Sequence, residues 1–382
     1  MREVVVLGIG QTTFGKTPEY TAIQLGVKAA KAAIKDAGID PRELQVCYGS
    51  RVYDATQTIE DIMKNLGVTE REMHNCENAC ASGGTAFNLL YKDIANGVYD
   101  IGIVVGCESM TTCSKAGQLV GAAPGDLNGT MGITMPANHA LTAHRMMATR
   151  GITLEDIAYP SVKNHRHGIL NPYAQYRKVL TTEQVLNARM ISDPITTLMC
   201  CPVSDGAAAA ILCTKEYARK HTTRFIKVAA SKVLTASYLP WDLDTVTRPT
   251  LTKLAYMAYE AAGIGPEGLD LIELHDAFSP EELYTYEALG LCKVGECLSF
   301  IRSGNAEIGG KHPVNPSGGL LSLGHPLGAS GVRVVCEVTQ HLRGEAGERQ
   351  VQGAKTGMAE MVGGYLTGLG SPAVGSITIL SA

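Results

Sequence analysis

The chain has 382 residues, 45% of them hydrophobic and 18% charged, with a formal net charge of −4. That length gives room for two or three domain-sized units, and a slightly acidic chain with one short basic cluster near residue 165 argues against nucleic acid as a partner. No apolar run approaches the ~18 residues of a membrane-spanning helix, and the start Met1-Arg2-Glu3-Val4 reads as the approach to a strand rather than a signal peptide, so a cytoplasmic protein without membrane contact is expected.

Val4-Val5-Val6-Leu7-Gly8 predicts a short buried strand. Residues 21–37 carry alanine, leucine and lysine at helical spacing, with Gly38 as the stop. Asp40-Pro41 turns the chain into a second strand over residues 44–48, and Glu70-Arg71-Glu72 reads as polar loop. The run from Asn75 through Cys80, Ala81, Ser82, Gly83 and Gly84 to Phe87 then passes from loop to a helix of small residues that ends near Asn96-Gly97. Cys80 therefore falls at a helix head, where free N–H groups and the positive end of the helix dipole stabilise a thiolate. The plainer reading of such a thiol is a small buried hydrophobe. Cys76 lies close by, yet no second ligand pair follows at zinc spacing, and the 11 scattered cysteines show no disulfide framework. Reduced thiols and no metal are expected.

Asp100 to Gly106 is a buried strand, and strands alternating with helices predict a parallel sheet covered by helices. Residues 112–195 are polar and rich in asparagine, histidine and proline, with helical pieces such as 137–150, and read as an inserted loop domain. A strand over Ala207 to Cys213 marks the return of regular structure. The expected division is a first half over 1–111 and 196–218, the loop domain over 112–195, and a second half over 219–382.

Ala37-Gly38-Ile39-Asp40-Pro41 recurs as Ala262-Gly263-Ile264-Gly265-Pro266, each time after an alanine-rich helix. Ala81-Ser82-Gly83 is echoed in the same order by Ala329-Ser330-Gly331. Two ordered echoes predict a duplicated α/β unit, so that helix N-termini from both halves converge on one central site. In the second half Glu273 to Phe278 ends a strand, and Ser279-Pro280-Glu281-Glu282 offers an N-cap, a first-turn proline and the glutamate of a capping box. His275 stands just before that turn, where strand ends place catalytic groups or a structural histidine. His325 lies in the glycine-rich loop Gly324 to Gly331 that opens a helix. Met361-Val362-Gly363-Gly364 precedes the last strand, 375–380.

Cys80 in Asn78-Ala79-Cys80-Ala81-Ser82-Gly83, His275 in His275-Asp276-Ala277-Phe278, and His325 in Asn315-Pro316-Ser317-Gly318-Gly319 to Gly331 together resemble the thiolase superfamily. Within it the chain is similar to the sterol-carrier-protein-type thiolases of bacteria and archaea. The likeness extends to Val162-Lys163-Asn164-His165-Arg166, Asn171-Pro172-Tyr173-Ala174 and Cys201-Pro202-Val203-Ser204-Asp205-Gly206. It implies an α/β thiolase fold, with duplicated βα halves layered αβαβα. It also implies acyl transfer with coenzyme A as a substrate and no permanently bound cofactor. In that scheme Cys80, deprotonated by His325, attacks a 3-oxoacyl-CoA. Backbone N–H groups of Cys80 and Gly363 hold the oxyanion, and His275 with a water stabilises the departing enolate. Ala277 and Met361 stand where many thiolases carry a second, acid/base cysteine, which leaves proton delivery to water or a histidine. A bulky 2-substituted substrate such as benzoylsuccinyl-CoA is then a candidate.

The resemblance further places Met131 in the acyl or pantetheine pocket. Lys163, Arg166, Arg177 and Lys178 would meet phosphates or form a solvated basic face. It implies a homodimer or larger assembly, with a small zinc-ribbon and OB-fold protein as a further partner. The alternatives are an acetoacetyl-CoA thiolase or condensing synthase, and a retired acyl-CoA-binding scaffold.

Overall fold

The computed structural model describes residues 1–118, 127–236, 248–364 and 372–382. Its strands are β1 (Val4–Gln11), β2 (Val46–Ser50), β3 (Glu72–Cys76), β4 (Ile101–Ser109), β5 (Met190–Ser192), β6 (Ile195–Thr196), β7 (Asp205–Thr214), β8 (Ile226–Thr235), β9 (Leu271–Glu273), β10 (Thr356–Gly363) and β11 (Val374–Ser381). β5 and β6 form a small hairpin, and the other nine make one sheet in the order β3-β2-β4-β7-β1-β8-β11-β10-β9. β4 and β7 are buried on both faces, which requires a helix layer on each side.

The helices of the first half are α1 (Ala22–Ala37), α2 (Thr58–Lys64) and α3 (Ser82–Ala95). Between β4 and β7 lie α4 (Leu127–Thr130), α5 (Met135–Arg150), α6 (Leu154–Gly168) and α7 (Thr182–Leu186), and α8 (Lys215–Ala218) follows β7. The second half adds α9 (Pro249–Ala262), α10 (Ser279–Ala288), α11 (Cys297–Arg302), α12 (Gly319–Leu323) and α13 (Leu327–Arg343). α1 begins on a Thr21–Gln24 capping box and stops at Gly38, whose φ of 66° suits a residue without Cβ.

β1 and β8 join over only two residue pairs, Val5 with Lys227 and Val6 with Ile226, so the sheet consists of two halves hinged at that seam. α1 covers the outer face of the first half against β1 and β7, and α9 covers the second against β8 and β11. α3 and α13 lie between the halves. α3 packs on β4 and β2 and also on β11 and β8, while α13 packs on β7 and β4 and also on β10. The layers are therefore αβαβα. The predicted duplication is visible in the elements: α1, a short 3₁₀ turn at Pro41–Glu43 and β2 are matched by α9, a turn at Pro266–Gly268 and β9.

Three sequence expectations need correction. The sheet is mixed: β2 runs parallel to β3 and β4, and β9 parallel to β10, but the pairings from β4 through β7, β1, β8 and β11 to β10 are antiparallel. The polar stretch at Glu72 is the edge strand β3, which lacks an apolar alternation because only one side is paired and its side chains are half-exposed. Ser279 is not a cap. The N-cap position belongs to Phe278, with no side-chain capping bond, and Ser279 Oγ donates to Ile157 O at 2.5 Å. The first-turn glutamates of α10 point inward to buried partners instead.

The crossing of α3 on α13 depends on glycine. A Cβ at Gly83 would stand 2.8 Å from Val332 N and 3.0 Å from Gly331 Cα, both backbone atoms that cannot swing aside. Gly83→Ala is expected to destabilise the chain by about 1–3 kcal/mol, read as a lower urea midpoint at unchanged slope.

Candidate active site

β3 delivers the chain into a tight turn with Ala79 at φ 49°, and α3 starts three residues later. Ser82 ties this turn together: its Oγ accepts from Asn78 N–H at 2.8 Å and donates to Ala79 O at 2.5 Å. Cys80 sits within the turn, partly exposed, just ahead of the α3 N-terminus. Gly363, at the end of β10, lies flat against it. A Cβ there would come within 2.8 Å of Cys80 N and 2.5 Å of Ala81 N.

His325 precedes α13 and is buried. Its Nδ1 lies 2.8 Å from Ser330 Oγ, and that hydroxyl donates its one proton to Pro326 O at 3.0 Å. A hydroxyl that donates to Pro326 O accepts from Nδ1–H, and this arrangement leaves Nε2 with its lone pair and no protein partner among the described residues. Burial, helped by the charge of His275, holds this imidazole well below its ordinary pKa. The neutral form of His325 is favoured.

His275 is the opposite case. Its Nδ1 stands 3.1 Å from Glu281 Oε2, an ion-pair contact without the alignment of a hydrogen bond. Burial opposes charge on this ring, but the Glu281 carboxylate outweighs it and raises the pKa well above the usual imidazole value. Glu281 is itself anchored, with Oε1 accepting from Arg248 Nη2 at 2.9 Å. Arg248 also donates to Tyr284 Oη at 2.7 Å. Glu360, on β10, accepts from the His275 backbone N–H at 2.8 Å. Burial pushes its carboxyl up to about 7 against the pull of His275.

Cys80 Sγ and one ring nitrogen from each of His275 and His325 lie within 4.8 Å of one another. The two rings are 5.2 Å apart, centroid to centroid, and nearly perpendicular. Three such donors suit a zinc ion by type, but the Glu281 carboxylate, by favouring charge on His275, works against that ring as a ligand. A thiol flanked by a neutral base and a fixed cation is arranged instead for nucleophilic attack on a carbonyl.

Residues 4–216 match the family model of the thiolase N-terminal domain, and residues 241–371 that of the thiolase C-terminal domain-like family. The chain belongs to the thiolase family. It is 38% identical to the benzoylsuccinyl-CoA thiolase subunit BbsB of Thauera aromatica, over 95% of both chains. It is 37% identical to an acetyl-CoA acetyltransferase of Methanothermobacter thermautotrophicus, covering 95% of this chain and 97% of that one. Among solved structures the Ltp2-ChsH2(DUF35) aldolase superposes with a TM-score of 0.85 at 25% identity, covering 100% of this chain and 98% of that one. This thiolase is accordingly a CoA-dependent acyltransferase, with coenzyme A as a substrate.

The remaining predicted residues fall in different places. Ala277 and Met361 are both buried in the main apolar core. Met131 is 67% exposed. Lys163 neither meets solvent nor is free for phosphate: it is fully buried, with Nζ 3.0 Å from Glu282 Oε1 and 2.8 Å from Val314 O. Arg166 pairs with Glu307, while Arg177 and Lys178 stay exposed. The sequence reading missed Ser330, Glu281, Arg248 and Glu360 as supports of the two histidines. Ser330 carried a signal, since it belongs to the echoed Ala329-Ser330-Gly331.

Gly363 offers a test of the thiolase turn. Gly363→Ala is expected to push the Cys80 loop by some tenths of an ångström and lower kcat/KM about 100-fold, with little change in melting temperature. Wild-type turnover in the variant would show that the loop and β10 are not in contact during the reaction.

Proposed function

We propose that Cys80 is the nucleophile, His325 its general base, and His275 the cationic group that meets the substrate enolate. The convergence of these three side chains, one imidazole neutral and one charged, carries the reading. Cys80 adds to the ketone carbon of a 3-oxoacyl-CoA as its proton passes to His325 Nε2. The tetrahedral oxyanion is held by the backbone N–H groups of Cys80 and Gly363. Carbon–carbon cleavage leaves the acyl group on Cys80 as a thioester and releases the enolate of a shorter acyl-CoA, which needs a proton. Coenzyme A then attacks the thioester with its thiol proton taken by His325, and Cys80 is freed. The reverse sequence is a Claisen condensation.

The benzoylsuccinyl-CoA thiolase relative supports a bulky 2-substituted substrate of that kind. So do Ala277 and Met361, which place no thiol at those positions. Retention of all three reactive side chains speaks against a retired scaffold. The aldolase neighbour, whose name couples it to a DUF35 component, supports a small partner protein, and the half-exposed edge strand β3 supports a homodimer. No helix among the described residues is long and apolar enough to cross a membrane, in keeping with the cytoplasmic location proposed here. The chain divides at 1–111 with 196–218, 112–195 and 219–382.

Mass spectrometry after incubation with acetoacetyl-CoA, benzoylsuccinyl-CoA and other 3-oxoacyl-CoAs should show one acyl adduct, on Cys80, and its mass identifies the substrate. Cys80→Ser should lower turnover by several orders of magnitude. An adduct on another cysteine with Cys80 free would overturn the assignment. Ser330→Ala removes the acceptor that fixes the His325 tautomer. It should slow Cys80 alkylation by iodoacetamide at neutral pH about 10- to 100-fold, whereas an unchanged rate would show that Ser330 does not set the His325 tautomer.

A further inference from the structure

The proposed cleavage leaves a carbanion that must be protonated, and neither Ala277 nor Met361 can supply a proton. A thiol stands directly across from Ala277. Cys200 and Phe278 form an antiparallel bridge, and the Cys201 N–H donates to Ala277 O at 2.8 Å. That register sets Cys201 opposite Ala277. Opposed residues of an antiparallel pair project to the same face, with Cβ atoms about 4.5–5.5 Å apart. The small alanine leaves room on that face for the neighbouring thiol.

The face is that of the reactive cluster. Cys201 is raised well above an ordinary thiol by burial and then by the charges of Cys200, Cys80, Asp276 and Glu281. Adjacent Cys200, on the other face, is pushed up to about 12 by burial alone. Cys201 also keeps part of its surface open, as Cys80 does. It stands outside the group whose donor atoms lie within 4.8 Å of one another. The cluster beside it holds buried polar atoms without aligned partners among the described residues: His325 Nε2 and both ring nitrogens of His275, in side chains only 5% and 6% exposed.

We propose that Cys201 is the general acid that protonates the enolate carbon, and the general base for that carbon in the condensing direction. This rests on acyl transfer at Cys80. The Cys201 S–H bond breaks as the new C–H bond forms, which leaves a thiolate. The proton that His325 took from Cys80 passes to that thiolate, directly or through a water, and His325 is then free to take the coenzyme A proton. No oxidant or further reactant is required. In the condensing direction His325 first takes the S–H proton of Cys201, and the thiolate so formed removes the α-proton and keeps it.

The test uses the full chain with acetyl-CoA and succinyl-CoA in D₂O, following two signals on the same sample. Exchange of labelled coenzyme A into the thioester reports acyl transfer through Cys80, and deuterium at the α-carbon reports proton transfer. Wild type should show both signals with at least one of the two thioesters. Cys201→Ser should lose α-deuteration at least 100-fold while acyl exchange falls less than tenfold. Returning a thiol across the ladder, as Cys201→Ser with Ala277→Cys, should restore at least a tenth of the α-deuteration. A purely structural role for Cys201 predicts no such rescue. Full α-deuteration in Cys201→Ser, acyl exchange without α-deuteration in wild type, or parallel loss of both signals without rescue would each overturn the role of Cys201. Absence of acyl exchange in wild type would instead remove the nucleophile assignment beneath it.

Discussion

Two helices lie between the two halves of the sheet, and their distance of approach decides where the reactive groups end up. α3 and α13 meet at Gly83, Gly84 and Gly331, where backbone packs directly on backbone. Each helix carries one of the converging side chains in the loop just before its N-terminus, Cys80 for α3 and His325 for α13. A side chain at the crossing would separate the helix heads and with them the thiol and its base. The conformational cost of glycine in a helix interior, about 0.5–1 kcal/mol each, is offset here by the burial that α13 achieves on nearly every face. The second close approach, Gly363 on the Cys80 turn, ties the end of β10 to the same point. Position in this site is thus set mainly by atoms that are missing.

The buried polar groups do a different task. Charges taken out of water seldom add net stability, because desolvation offsets most of their attraction. In this chain they fix protonation. One serine hydroxyl, committed to Pro326 O, selects the His325 tautomer that exposes a lone pair at Nε2. One glutamate, held by Arg248, keeps His275 charged beside it. Two imidazoles 5.2 Å apart would otherwise titrate as a pair, each discouraging charge on the other. The carboxylate on one side and the hydroxyl on the other separate them into a cation and a base.

The three converging side chains stood out in the sequence because each occupies a local frame with its own signature. These are a thiol before small helix-forming residues, a histidine at a strand end, and a histidine in a glycine-rich loop. The duplicated unit was legible for the same reason, since a helix, a glycine stop and a proline turn are written in adjacent residues. What could not be read was set by partners distant in the chain. Glu281 and Glu282 have the spacing of capping residues, yet they turn inward because His275, Arg248 and Lys163 await them there. Lys163 sits in a polar stretch and is nonetheless fully buried, since Glu282, Asn164 and the Val314 carbonyl satisfy its three N–H groups. β3 escaped because an edge strand needs no apolar face of its own. The pairing of Cys201 with Ala277 depends on a bridge between segments more than seventy residues apart, which no periodicity announces.

The charge balance around His275 bears on the enolate more than on the nucleophile. His275 and Arg248 are cations in one buried cluster, and Glu281 alone is held firmly as an anion. Glu360 adds a full second negative charge only above about pH 7, because burial raises it so far. Below that pH the cluster carries close to one excess positive charge. Among buried side chains that excess is strongly felt. Coordination to an incoming negative charge would then relieve an imbalance already present in the free protein, rather than requiring side chains to reorganise at the moment of cleavage. An enolate forming at His275 is the charge that fits. The oxyanion at Cys80 would be held by the backbone of Gly363 and Cys80. Under the proposed chemistry the two negative charges of the reaction thus meet two separate kinds of support, backbone dipoles for the first and a fixed cation for the second.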